Sequence, residues 1–468
     1  MTGLICWTLD FLRTTEKPMA QIHPIPAITY EFPPEVDMLA VIAPPYDVLD
    51  EKSKADLLSR NDCNIVAVDL PHLPAKTVGP DATYEAAGVL YRQWLGEGTL
   101  KRREKPALFA YRQSYTHNHH TFKRSGLFCN VTIQPFGPSP DGNGGIHPHE
   151  QTFSGPKEDR LKLMRATKAQ LSPIFGLHSD PDGTLESLLG EITSSRSSSF
   201  YGTTSNDGVL HEMWAIEDAK EIARFQSALS KSDVFIADGH HRYNTALNYK
   251  AELIAANGGK PLAKEHPANF CLFVLVAMQD PGMIVLPTHR VLGGMTDFSL
   301  AALVKASQGK LKIEPFHGTD LHALEAALPK AGTHAMGLFN AAFPEAPLAI
   351  LTTVDSDPLK ATHGNQSEAW RQLDVAILQH LLVEKILEPT FCAKASDGSA
   401  GKVLWKFPHS LSEVPAIIAK DHYQLGVIVQ ATPLDSVRLV SEAGELMPQK
   451  STFFYPKLAT GLVINPLE

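Results

Sequence analysis

Residues Val234 to Tyr243 read Val-Phe-Ile-Ala-Asp-Gly-His-His-Arg-Tyr, which packs a carboxylate, two imidazoles and a guanidinium into one short stretch. That set suits an anion, and a phosphate in particular. Phosphoryl transfer asks for positive charge around the migrating group and for a carboxylate near the acceptor hydroxyl. Two other segments carry complementary groups. One is Ala43-Pro44-Pro45-Tyr46-Asp47-Val48, and the other runs from His147-Pro148-His149-Glu150 to Ser154-Gly155-Pro156-Lys157-Glu158-Asp159-Arg160. Gly239, His240, His241, Arg242, Lys157 and Arg160 are the expected phosphate-binding residues. His241 and Glu150 are the expected catalytic residues, with Glu150 the first candidate for general base and Asp47 the second. Asp238 and Asp159 are the candidates for holding Mg²⁺ between donor oxygens. The bland reading stands beside this one. Asp238 alone is an ordinary helix cap, and a histidine near a helix start is usually a surface residue. An arginine at a helix N-terminus, however, is disfavoured by the dipole unless an anion arrives.

The flanking pattern predicts what positions these groups. Val234 to Ala237 is a short apolar, β-branched run that reads as a buried strand. Asp238-Gly239 breaks it. Tyr243, Ala246, Leu247, Ala251 and Ile254 then recur at helical spacing until Gly258-Gly259. The result is a strand, a tight turn and a helix, with His240, His241 and Arg242 in the helix's first turn, where free N–H groups favour anions. Pro44 and Pro45 hold the backbone extended and present Tyr46 and Asp47 from a stiff loop. Pro156 fits the first position of a second helix. On that helix Lys157, Arg160 and Lys168 share a face with Leu161, Met164 and Leu171, so the basic groups either snorkel or face a cleft.

Elsewhere, Leu108 to Tyr115 and Thr121 to Ile133 read as an antiparallel pair around His117-Asn118-His119-His120, three histidines on a polar turn that are expected to be solvated rather than metal-bound. Phe270 to Met278 and Ile284 to Leu286 read as strands, and Ala369 to Leu387 as one long core helix. Gly137 to Gly145 reads as a loop. So does the Ser/Thr/Gly/Asn-rich stretch from Ser194 to Gly208, which is also a candidate boundary. The expected fold is α/β (mixed α+β). Its expected parts are a dispensable extension (1–18), an N-terminal part (19–205) and a C-terminal part (206–468).

Composition sets the bounds. The chain has 468 residues, 43% of them hydrophobic and 20% charged, as in ordinary globular proteins. A net charge of −9 argues against a broad nucleic-acid-binding surface. Cys6, Cys63, Cys129, Cys271 and Cys392 are scattered, odd in number and without a Cys-x-x-Cys pair, which fits a reducing cytoplasm and no structural zinc. The longest apolar run, Phe270 to Met278, is too short to span a bilayer. The sequence contains no P-loop, dinucleotide Gly-x-Gly-x-x-Gly, His-Glu-x-x-His or Gly-x-Ser-x-Gly motif. Nothing in it indicates an oligomeric state.

The Ala43-Pro44-Pro45-Tyr46-Asp47, His149-Glu150, Gly155 to Arg160, Asp238 to Tyr243 and Met447-Pro448-Gln449-Lys450-Ser451-Thr452 motifs resemble those of the family called domain of unknown function 1015, in the family's order from Met19 to the C-terminus. Locally, Asp238 to Tyr243 is similar to the motif of the ParB/sulfiredoxin-like fold, whose turn and helix start hold nucleotide phosphates. Relatives sharing that fold include a free-serine kinase with an Asp-Gly-His-His-Arg motif. The resemblance implies a phosphate-binding core elaborated by further sheets and helices, and a small-molecule kinase using pyrophosphate or a nucleotide, with L-serine as the best-guess acceptor. His240 stands where sulfiredoxin needs cysteine, so sulfinic-acid reduction is not expected. The acidic charge does not fit a DNA clamp. Two other readings stand beside the kinase: a non-catalytic nucleotide- or phosphometabolite-binding regulator, and a metal-dependent hydrolase built on His147, His149, His240 and His241. Lys450 and Ser451 fit either a phosphate site or a capped surface turn.

Overall fold

The computed structural model describes residues 21–31, 38–137, 145–152, 154–203, 208–318, 320–340, 347–393 and 401–468. Residues 1–18 and most of the Gly137 to Gly145 stretch therefore lie outside the described residues.

Alternation along the strands builds the first layer. Leu108 and Ala110 of the strand Leu108–His117 point into one core, and Phe109 and Tyr111 into another. The same split runs through His120–Thr132 and Phe270–Ala277, so both faces of this sheet are buried. Its order is Ile146–His147, Val234–Asp238, Ile174–His178, Phe270–Ala277, His120–Thr132, Leu108–His117, Leu210–Ile216 and Phe200–Thr203, with Ile22–His23 added beside His120–Thr132. Helices Thr184–Ser195, Ala219–Leu229 and His240–Ala256 cover one face. Segments around Ile25, Ile42 and Leu458 to Val463 cover the other. The expected hairpin forms, and its turn places Asn118 and His119 at positive φ on the exposed surface.

A second, six-stranded antiparallel sheet has the order Leu311–Pro315, Leu348–Thr353, Met336–Phe339, Leu425–Ile428, Arg290–Gly293, Leu404–Lys406. The fold is thus mixed α/β, as expected. Two expectations need correction. A division at 205/206 does not separate folding units, because Phe200–Thr203 pairs with Leu210–Ile216 across it and one sheet continues to Ala277. Within the Ser194 to Gly208 stretch, expected as a loop, residues 200–203 form the edge strand of that sheet. The single helix expected over Ala369 to Leu387 is instead Glu368–Arg371, a break with Leu373 extended, Asp374–Ile377, and a π-helical run over Leu378–Leu387. Apolar spacing marked this segment as buried helix, and it does not report the looser i→i+5 winding.

Candidate functional site: an anion cleft at a strand–turn–helix

The predicted strand is Val234–Asp238, parallel to Ile146–His147 and antiparallel to Ile174–His178. Its register slips between Ile236 and Asp238. A bulge of this kind bends a strand and re-aims the residue beyond it, here Asp238. Gly239 follows at φ +104°, and a Cβ there would lie 3.1 Å from Arg242 Nε. The helix His240–Ala256 starts at once, so its first N–H groups open toward the turn.

His240 points inward. Its Nε2 accepts the backbone N–H of His149 at 3.1 Å and that of Glu150 at 3.4 Å. A ring nitrogen that accepts two N–H groups is unprotonated, so the proton sits on Nδ1. Burial, then the neighbouring His149, hold the His240 pKa well below its ordinary value. His149 Nε2 in turn meets Thr452 Oγ1 at 2.9 Å, and Met447 N–H donates to His149 O at 2.8 Å. Three distant segments, at 147–150, 238–242 and 447–452, therefore meet at one point.

They enclose a cleft of about 400 Å³. Asp238, Gly239, His240, His241 and Arg242 line it together with Glu150, Tyr46 and Asp47. The cations are Lys76, Arg242, Lys450 and Lys457, against three carboxylates, Asp47, Glu150 and Asp238. Burial opposes ionisation of Asp238, but Lys457 at 3.1 Å and Arg242 at 3.7 Å outweigh it and hold the carboxyl well below the usual range. Asp47 lies 3.6 Å from Lys76, and its Oδ1 is buried without a hydrogen-bond partner. Burial and the charges of Lys76, Lys157 and Lys450 push His241 down to about 4, against the opposing effect of Asp47. Burial, followed by Lys450 and Lys457, does the same to His409, whose ring stacks on Phe453 at 4.1 Å. Both imidazoles are neutral at pH 7.

The structure thus brings Glu150, Asp47, Asp238, Gly239, His240, His241 and Arg242 together. Lys157 stands near enough for its charge to act on His241, on the helix Ser154–Thr167. Asp159 and Arg160 are placed elsewhere. Asp159 is buried, accepting from Tyr84 Oη at 2.7 Å and Arg160 Nε at 2.8 Å, with His72 Nε2 at 2.9 Å. Arg160 also donates to Asp69 O at 2.6 Å and lies over the Tyr46 ring at 3.8 Å. Both sit beneath the Tyr46-Asp47 loop as its support, with the oxygens of Asp159 occupied by protein donors. The four histidines of the hydrolase reading do not form one cluster either, although His149 and His240 lie ring to ring at 4.6 Å. His147 pairs with Asp233 at 2.9 Å, and both His149 and His240 are used in hydrogen bonds. Among the described residues no cluster of three or more His, Cys, Asp or Glu side chains is arranged to hold a metal. Nor is any helix long and apolar enough to cross a membrane.

Lys76, Lys457 and His409 carried no sequence signal. Lys450 did, as part of Met447 to Thr452. The segment that bears Lys457 is anchored by the buried Arg124, which donates to Tyr455 O at 3.0 Å and to Pro456 O, and by Gln113, which donates to Lys457 O at 3.0 Å.

Fold and site together define a mixed α/β protein with a cationic cleft at the turn between a buried strand and a helix. The chain belongs to the family described as "Protein of unknown function (DUF1015)", which matches residues 22–376. The match ends before Met447 to Thr452, so the part of the cleft carrying Lys450 lies beyond it. No curated protein matches the chain at a significant level. Among solved structures, a mutant free serine kinase in complex with AMP is 12% identical, covering 66% of this chain and 83% of its own with a TM-score of 0.31. A conserved hypothetical protein from Pyrococcus furiosus is 14% identical (67% and 88% covered, TM-score 0.29). SbnI from Staphylococcus aureus is 10% identical (73% and 87% covered, TM-score 0.31).

Proposed function

We propose that this protein is a small-molecule kinase that transfers a phosphoryl group from pyrophosphate or a nucleotide to a hydroxylated metabolite, free L-serine being the best candidate. The observation that carries the reading is the surplus of cations, Lys76, Arg242, Lys450 and Lys457, converging on the N-terminus of the helix His240–Ala256. Charge of that sign and placement stabilises the oxygens of a migrating phosphoryl group. The acceptor hydroxyl attacks the terminal phosphorus, its proton passes to a carboxylate, and the bond to the leaving phosphate breaks. Glu150 is the proposed base, since His240 and Met447 pin its backbone at the cleft. His241, neutral at pH 7, orients phosphate oxygens by hydrogen bonding rather than by charge. Mg²⁺ would supply further neutralisation of donor oxygens when bound. Asp47, with its unpartnered buried oxygen, fits that ion better than Asp159, whose oxygens are occupied, or Asp238, which is paired to Lys457 and Arg242.

The test is O-phosphoserine detected by mass spectrometry after incubation with Mg²⁺, L-serine and, in parallel, pyrophosphate, ADP or ATP. Product with one donor, lost in His241→Ala and Lys450→Ala, is the expected result. Thermal protection by a donor with no product from any acceptor tried would instead favour the regulator.

A further inference from the structure

A second chamber of about 600 Å³ lies against the cleft on the side of the six-stranded sheet. Gln151 and Gln449 line both spaces, so the two are contiguous. Arg290 holds the partition, its guanidinium donating to the carbonyls of Gln449 at 3.3 Å and Lys450 at 3.0 Å. The volume falls within the roughly 300–1,000 Å³ of small-molecule sites.

The lining specifies a chemistry. Trp370, Trp405 and Phe407 supply aromatic surface, with the Trp405 and Phe407 rings stacked nearly parallel. Gln151, Gln379 and Gln449 supply amides that donate and accept at once. Charge balances: Arg290 and Lys402 stand against Glu384 and Glu388, and Lys402 is already paired to Glu388 at 2.8 Å. A balanced site favours a neutral group over an anion, the opposite of the adjoining cleft. One wall is the π-helical run Leu378–Leu387, which contributes Gln379, His380 and Glu384. π-Helical turns are rare and occur often at functional sites.

We infer that the chamber binds a neutral heteroaromatic ring whose phosphate chain extends past Gln151 and Gln449 into the cationic cleft, so that the phosphoryl donor is a nucleoside polyphosphate rather than pyrophosphate. This rests on the cleft being a phosphate site. The ring stacks on the Trp405 face, its edge is read by glutamine amides, and the phosphates lie toward Lys450 and the helix start.

The experiment is calorimetric titration of the full chain with ADP, GDP, adenosine, guanosine and inorganic pyrophosphate. A nucleoside diphosphate is expected to bind at least about tenfold more tightly than pyrophosphate, in line with base stacking on an aromatic side chain. Trp405→Ala removes that advantage and leaves pyrophosphate affinity unchanged, whereas Lys450→Ala weakens both. Gln379→Trp, which narrows the chamber from its helical wall, acts as Trp405→Ala does, and unchanged melting temperatures exclude misfolding. Equal affinity for pyrophosphate and both diphosphates overturns the inference. So does diphosphate affinity that survives both chamber variants. If no phosphate compound binds, the cleft reading itself falls; adenosine or guanosine binding abolished by Trp405→Ala then still upholds the chamber as a ring site, and no nucleoside binding overturns it.

Discussion

Two clusters of charge stand one above the other, and they are built on opposite terms. In the lower one, Arg160 faces two buried carboxylates, Asp69 and Asp159, and protein donors fill the oxygens: Tyr84, Ser172 and Arg160 itself, with His72 in hydrogen-bond contact. In the upper one, Asp238 is paired to Lys457 and Arg242 and Asp47 to Lys76 around an open cleft, four cations stand against three carboxylates, and a buried oxygen of Asp47 has no hydrogen-bond partner. Arginine sits in both, on the helices Ser154–Thr167 and His240–Ala256. Residue type therefore does not separate support from chemistry. What separates them is whether the protein itself completes the hydrogen bonding of the carboxylates. In the lower cluster every carboxylate oxygen has a protein partner, although Arg160 Nη2 is left without one, whereas the upper cluster keeps an unpartnered carboxylate oxygen beside an open cleft.

The comparison can be broken first at the upper cluster. Glu150→Gln should lower turnover by about 10²–10⁴-fold with little change in melting temperature, as loss of a general base does. Asp47→Asn, by contrast, should raise the Mg²⁺ requirement. Steady-state kinetics against Mg²⁺ concentration distinguishes them, and a reversed pattern would exchange the two roles. At the lower cluster, Arg160→Ala should destabilise the protein by about 3–5 kcal/mol, because it strands buried carboxylates. Arg242→Ala should cost clearly less stability and more donor affinity. Urea denaturation beside donor titration checks both, and comparable stability losses would erase the distinction.

The smallest effect is in pH. His241 and His409 titrate near 4 in the folded protein, below the ordinary histidine value near 6.5. Between those values the unfolded chain binds more protons, so stability is constant above about pH 6.5 and falls as pH drops toward about 4. Denaturation midpoints at pH 7 and 5 should show the decline, and His409→Asn should make it shallower. An unchanged slope would remove His409 as a contributor.

Much of this was legible in the sequence, for reasons that differ by residue. The strand, turn and helix from Val234 to Ala256 are written locally, in a β-branched run, an Asp-Gly break and a helical repeat. The Leu108–Thr132 hairpin is equally local. Lys76 and Lys457 are not, since each lies in a segment without periodicity and reaches the cleft only through tertiary packing. Asp159 and Arg160 misled for the converse reason. Their helix was predicted correctly, but a shared helical face does not say whether Asp69, Tyr84 or a ligand stands opposite. The Ser/Gly-rich stretch at 194–208 reads as loop by composition, yet its residues 200–203 pair as a strand, an outcome of tertiary contact that composition does not report.

The junction of His149 with Thr452 also has a consequence for how the protein is made. Those partners are 303 residues apart in the chain. At the ribosome's pace of about 5–20 residues per second, roughly 15–60 s separate the appearance of one from the other. During that interval the nascent protein carries Glu150, and later the Asp238–Arg242 turn, without Lys450 or Lys457. The cleft's charge is assembled late in synthesis, so a half-made chain lacks the cations contributed by Lys450 and Lys457.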